Sequence, residues 1–206
     1  MRTTNNLQRS LRYLLAWAPT MALPTLGAQR PMRDATLASG TLSFLGRATV
    51  GDFVGTTARV TGAIIGGADY SAVRGWVDAP VGTLVTGNDR RDRDLRATMN
   101  VERYPTMHFE LTSATLVASS VGEQDSTPLL LHGALTIHGV TRRVEMPATV
   151  LRNGDTTRVS SRFRLDLFDY DIHGLTRMFG VLRMQHEIDV RVDLQFVDRP
   201  ILSANP

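Results

Sequence analysis

The stretch MQHEIDVRVDLQFV, residues 184–197, decides the fold. From Ile188 its apolar members Ile188, Val190, Val192, Leu194 and Phe196 alternate with Asp189, Arg191, Asp193 and Gln195. Successive side chains of a strand point to opposite faces, so one face here meets a core and the other meets water, as in an antiparallel sheet. Working upstream, Phe163, Leu165 and Leu167 alternate with Arg162, Arg164 and Asp166, and Val144, Met146, Ala148 and Val150 alternate with Arg143, Glu145, Pro147 and Thr149. Leu131, Gly133, Leu135 and Ile137 do the same against His132, Ala134, Thr136 and His138. Asn153-Gly154, between two such runs, predicts a type I′ hairpin, and His138-Gly139 predicts a second tight connection. The pattern predicts eight strands, over 41–50, 53–65, 73–81, 104–118, 129–138, 141–151, 156–168 and 185–198. A single short, almost wholly charged helix is predicted over Asn88–Ala97, opening on a capping residue and covering an end of the sheet. The fold class is all-β. Between a sandwich and an up-and-down barrel, closure removes the exposed edges that a sandwich must protect.

The 206 residues contain no cysteine, which excludes disulfides, thiolate metal sites, cysteine nucleophiles and acylation at an N-terminal cysteine. The net charge of +3 suggests a nucleic-acid partner only until the charges are located. Arg2, Arg9 and Arg12 are the only charges before residue 29, and the remainder is neutral, without the basic stripe that phosphate-backbone binding needs. No nucleic-acid partner is expected. Residues 1–28 read as a secretory signal peptide, with a positive start, the apolar stretch Tyr13–Ala18 and small residues at Gly27 and Ala28. A membrane anchor wants about 20 uninterrupted apolar residues, whereas Arg12, Pro19 and Pro24 interrupt this segment. The expectation is a periplasmic or secreted protein whose residues 29–206 form one domain.

An eight-stranded barrel is just wide enough to fill itself with side chains or to hold one small ligand. On the apolar parity, Gly46, Gly62, Gly75, Ala79, Gly133 and Ala148 are interspersed among larger residues. Small residues on facing walls leave volume that an apolar ligand would occupy. The same glycines also suit bulges or close strand crossings, and both readings stand at this point. The positions nominated to line an apolar tunnel are Phe44, Val60, Val77, Met107, Phe109, Leu131, Leu135, Leu165, Leu167 and Ile188. Phe53 falls off the parity set by Ala58, Val60, Gly62 and Ile64, which a bulge near Gly55 would repair.

Four stretches carry a resemblance: NDRRDRDLR (88–96), YPTMHF (104–109), LTIHGVTR (135–142) and LDLFDYDI (165–172). In this order they resemble the YceI-like family of secreted lipid- and polyisoprenoid-binding proteins, over about residues 40–197. The resemblance implies an eight-stranded antiparallel, lipocalin-like barrel whose apolar tunnel holds a long isoprenoid chain. It further implies a periplasmic or secreted location and, as in some relatives, a homodimer. The segment Ala63–Val73 is shorter than in many members, which leaves the length of tunnel and ligand open.

Catalysis finds no foothold. There is no nucleophile elbow, phosphate loop or dinucleotide fingerprint. His108, His132, His138, His173 and His186 lack zinc-site spacing, so no metal is assigned, although strand pairing could bring His108 near His132. His186, on the apolar parity with Met184, is either a head-group contact for a quinone or diphosphate or a satisfied wall histidine. Asp92 and Arg96, four apart on the helix, are expected to pair with each other, and with Arg91 they read as structural, the alternative being a head-group clamp. Asp166, Asp169 and Asp171 read as a solvated face and turn. The function expected is a non-enzymatic carrier or reservoir for an isoprenoid-type lipid such as a polyprenol, a polyprenyl phosphate or an isoprenoid quinone, with no cofactor. The alternative is a secreted β-sandwich or filled-barrel interaction module without lipid, and a hydrolase or isomerase on the barrel stands third.

Overall fold

Strand β1 (Ala35–Gly46) is the seam at which the sheet closes. One edge pairs with β11 (Glu187–Asp198), from Ala35 opposite Asp198 to Leu45 opposite Asp189. The other edge is shared: Leu42–Gly46 pair with β2 (Phe53–Thr57), while Ala35 and Thr36 pair with β3 (Thr61–Ile65). From β3 the antiparallel ladder continues through β4 (Arg74–Pro80), β5 (Thr106–Leu116), β6 (Ser126–Ile137), β7 (Val140–Asn153) and β8 (Thr156–Asp166) back to β11. With β2 and β3 sharing one place, this is a closed eight-stranded antiparallel barrel. Helix α1 (Asp89–Thr98) lies in the β4–β5 connection, and β9 (Thr176–Arg177) and β10 (Leu182–Arg183) form a separate two-stranded ribbon. This computed structural model describes residues 32–49, 51–117, 126–173, 176–177 and 182–199. The segment 1–28 lies outside the described residues.

The differences from the sequence pattern have local causes. An extra residue at Ala38, between the pairs Leu37–Phe196 and Ser39–Gln195, reverses the parity of β1. Ala35 and Leu37 therefore turn inward on one side of the bulge, and Gly40, Leu42 and Phe44 on the other, so the strand begins six residues before the expected Thr41. Thr112 does the same in β5, between Leu111–Gly133 and Ser113–His132. The expected strand over 53–65 is broken at Ala58–Val60. That break, rather than a bulge near Gly55, reconciles inward Phe53, Gly55 and Thr57 with inward Gly62 and Ile64. The β7–β8 turn has Gly154 and Asp155 at its centre, with positive φ only at Gly154 (61°), the φ pattern of type II′ instead of the expected I′. The β6–β7 turn does have positive φ at both His138 (52°) and Gly139 (79°).

The glycines are not the source of empty space. A Cβ at Gly133 would lie 2.6 Å from the Phe109 ring, and one at Gly46 would lie 2.6 Å from that of Phe53. The Phe44 ring covers Gly55, and Gly62 and Gly75 face carbonyl oxygens of the neighbouring strand at 2.6 and 2.7 Å. Each glycine is a socket for an aromatic ring or a point of close strand approach, the second of the two readings. Inside the barrel the apolar side chains form three clusters. One gathers around Phe44, Leu135, Leu165, Leu167 and Ile188 at the α1 end, one around Ala35, Ile64, Val73, Leu194 and Phe196, and one around Ala114, Leu129 and Val150.

Candidate functional site

The α1 end of the barrel holds a cavity of about 500 Å³. Its walls are the inward residues of strands, among them Leu42 and Phe44 of β1, Met107 of β5, Leu135 and Ile137 of β6, Phe163 and Leu165 of β8 and Ile188 and Val190 of β11. Leu84, Leu167, Ile172 and Met184 complete the walls from the connecting segments. Leu95 and Met99, four residues apart and therefore on one face of α1, close over the top. Among the described lining residues the polar side chains are Asn88, Arg90, Arg91, Asp94 and Thr98, all on α1 or its cap, and these form the rim. An apolar wall with a few polar groups at one end suits the tail of an amphiphile.

The rim is built by Thr86. Its backbone N–H and hydroxyl donate to Asp92 Oδ1 at 2.8 and 2.5 Å, its hydroxyl oxygen accepts from Arg91 Nε at 2.9 Å, and its carbonyl accepts from Arg91 Nη2 at 3.0 Å. Asp92 is only 6% exposed. The Thr86 hydroxyl bond, with help from Arg96 and Arg91, holds its carboxyl below the usual carboxylate range against the opposing effect of burial. The Asp92–Arg96 pair expected from spacing is not made as an ion pair. Asp92 turns to Thr86, and Arg96 Nε donates to the Gly82 carbonyl at 3.4 Å. The Arg91 guanidinium, fixed by Thr86, lies 4.4 Å above the Phe53 ring and so caps a wall residue of the cavity. Asn88 caps α1 by accepting from the Arg91 N–H at 3.0 Å.

Of the ten nominated lining positions, six face this cavity: Phe44, Met107, Leu135, Leu165, Leu167 and Ile188. The other four pack elsewhere. Val60 and Val77 join the cluster around Leu194 and Phe196, Leu131 joins the one around Leu129, and Phe109 packs beside the cavity with its ring over Gly133. Leu42, Ile137, Phe163 and Val190 share the inward parity and could have been nominated by it. Leu84 and Ile172 sit in irregular segments that carry no periodic signal. His186 is placed away from the wall. Its ring stacks on half-exposed Phe168, centroids 4.5 Å apart and 7° from parallel, with Nδ1 2.8 Å from Asp166 Oδ1.

Asp166 also accepts from the Phe168 N–H at 2.9 Å and so caps the tight turn Leu167–Tyr170, which Asp171 closes at φ 55°. Burial opposes its ionisation, but the bonds from His186 and Phe168 prevail and its pKa lies below the ordinary value. These carboxylates serve the turn. Burial likewise pushes the Tyr170 hydroxyl up to about 12, keeping it protonated. The strand register sets His108 opposite Thr136 and His132 opposite Ser113, which separates the two histidines that pairing was to bring together. His108 bonds Asp78, and His132 bonds Glu145 and Thr115. Among the described residues that line the cavity there is no serine, histidine or cysteine.

Comparison with known proteins agrees with this architecture. The family model described as "YceI-like domain" matches residues 35–196. Of the curated proteins compared with the chain, none matches it. Among solved structures, a polyisoprenoid binding domain from Saccharophagus degradans implicated in plant cell wall breakdown superposes with a TM-score of 0.65 at 15% identity, covering 82% of this chain and 100% of that one. BcnA of Burkholderia cenocepacia gives 0.62 at 15% identity over 76% and 95% of the two chains. The Campylobacter jejuni YCEI protein gives 0.54 at 17% identity over 71% and 85%.

Proposed function

Because the chain belongs to the YceI-like domain family, we propose that it is a non-enzymatic carrier or reservoir that houses the apolar chain of an isoprenoid-type lipid in the cavity under α1. The observation that carries this reading is the cavity itself: about 500 Å³ walled by leucine, isoleucine, phenylalanine and methionine, with the polar side chains among its described lining residues on α1 and its cap. The lipid's tail points inward and its head, whether alcohol, phosphate or quinone, stays near Asn88, Arg90 and Asp94. Removing the tail from water is the drive, at roughly 0.8 kcal/mol for each methylene buried. The polyisoprenoid-binding description of the Saccharophagus degradans domain supports an isoprenoid over other tails. Residues 1–28 support export, so the working compartment in this reading is the cell envelope or its exterior.

The test is organic extraction of protein purified from its own envelope, followed by mass spectrometry, with binding of added polyprenol, polyprenyl phosphate and isoprenoid quinone in parallel. A co-purifying prenyl lipid, or saturable binding of one, is expected. A protein that carries no lipid and binds none of the three overturns the reading and favours an interaction module.

A further inference from the structure

The cavity has a floor. Phe109 of β5 stands directly opposite Leu135 of β6, yet only Leu135 faces the cavity, because the Phe109 ring folds across onto Gly133 and fills the place a side chain there would take. On the opposite wall Gly40 offers a similar vacancy, and Leu194 Cδ2 and Val60 Cγ2 fill it, 2.6 and 2.8 Å from where its Cβ would be. Below this layer lies the cluster around Leu194 and Phe196. Beyond that, a second cavity of about 240 Å³, bordered by Tyr70, Leu116 and Val150, shares no wall residue with the first. The Cβ places at Gly133 and Gly40, between the two chambers, are both filled by neighbouring side chains.

We infer that the barrel is a single-ended gauge of chain length, taking an apolar chain of roughly 15 to 20 carbons, three to four isoprene units, and leaving any further length outside the mouth. The inference rests on the lipid-carrying reading of the same cavity. Its measure is volume: a methylene group takes about the space of a water molecule in the liquid, roughly 30 Å³, so about 500 Å³ holds about 17 such groups. A longer chain gains nothing from carbons that the floor keeps in water, because the drive scales with the apolar surface removed from it.

The experiment is a ladder of prenyl monophosphates of ten, fifteen, twenty and forty carbons, titrated against purified protein stripped of lipid on a hydrophobic resin. Affinity should rise at least about tenfold from ten to fifteen carbons, rise less from fifteen to twenty, and change by less than about threefold from twenty to forty. A climb that continues from twenty to forty carbons overturns the gauge while leaving the carrier standing. Failure of every member to bind overturns both. Phe109→Ala and Leu194→Ala each remove part of the floor, and a plateau displaced by about one isoprene unit in either supports it. Both variants folded with the plateau unmoved would refute the floor assignment, and if neither folds the wild-type ladder alone decides.

Discussion

Leu135→Asp offers the sharpest test of where the tail sits, because it sets the cost of burying one charge against a pH scale. Leu135 is 8% exposed and lies on the cavity wall, opposite Phe109 in β5 and Arg142 in β7. In the empty protein the introduced carboxylate reaches water through the open rim. A tail packed against it removes that water, and an ionised carboxylate in an apolar medium is costly enough that it takes up a proton instead. With an unperturbed pKa of about 3.9, protonation at pH 7 costs about 1.4 kcal/mol for each of roughly three pH units, or about 4 kcal/mol. Binding should weaken by about 10³-fold at pH 7 and recover about tenfold for each unit the pH falls, until near pH 4. Leu135→Asn should weaken binding without that slope, and Arg164→Ala, whose side chain is 77% exposed on the outer face, should change nothing. The assay is competition against a fluorescent prenyl probe from pH 4.5 to 7.5, with circular dichroism to confirm folding. Equal affinities for Leu135→Asp and Arg164→Ala at pH 7, both folded, would mean that the tail does not lie against this wall.

Asp92→Asn should lower Tm by several degrees, since the amide replaces a carboxylate that takes two bonds from Thr86. Asp92 has a depressed folded pKa, so the stability it contributes is present above the ordinary value near 3.8 and is lost as pH falls through the folded value. Thermal scans between pH 2.5 and 6 should show a shallower acid dependence in the variant. Gly133→Ala should destabilise by about 1–3 kcal/mol in urea unfolding, because the new Cβ meets the Glu110 carbonyl, which is backbone, as well as the Phe109 ring. His186→Ala should bind lipid within about twofold of wild type in the same competition assay, its ring being stacked outside the wall on Phe168; a tenfold loss would make it a head-group contact after all.

What the sequence revealed follows from which forces are local. Alternation in Ile188–Phe196, the Asn88 cap and the His138-Gly139 turn each depend on neighbours within a few residues, and all three are in place. The start of β1 was hidden because the bulge at Ala38 reverses the parity on which the strand is recognised, and only the partner strand β11 reveals that the pairing continues. Six of the ten residues nominated by parity face the cavity, and three of the other four pack elsewhere for the same kind of reason. Val60, Val77 and Leu131 have the right parity but the wrong height along the barrel. Parity reports which face a residue is on and is silent about how far along the axis it sits.

The position of the cavity follows from an imbalance between the two ends of the barrel. At the far end Tyr70 and Leu131 pack onto Ala114, Leu129 and Val150, and the cavity left there is the smaller one, about 240 Å³. At the near end α1, whose charged sequence spends Asp92 and Arg91 on fixing Thr86, contributes Leu95 and Met99 as its apolar side chains to the cavity. Two such side chains leave space between the strands, and the Phe109 ring is drawn aside onto Gly133 while the Phe44 ring lies back in the wall over Gly55. Closely packed interiors tolerate few voids larger than a water molecule, so wall side chains around a cavity of about 500 Å³ forgo dispersion contacts with one another. In the proposed carrier reading a tail that enters under α1 restores those contacts along its buried length, so stability of the barrel and occupancy by lipid are linked.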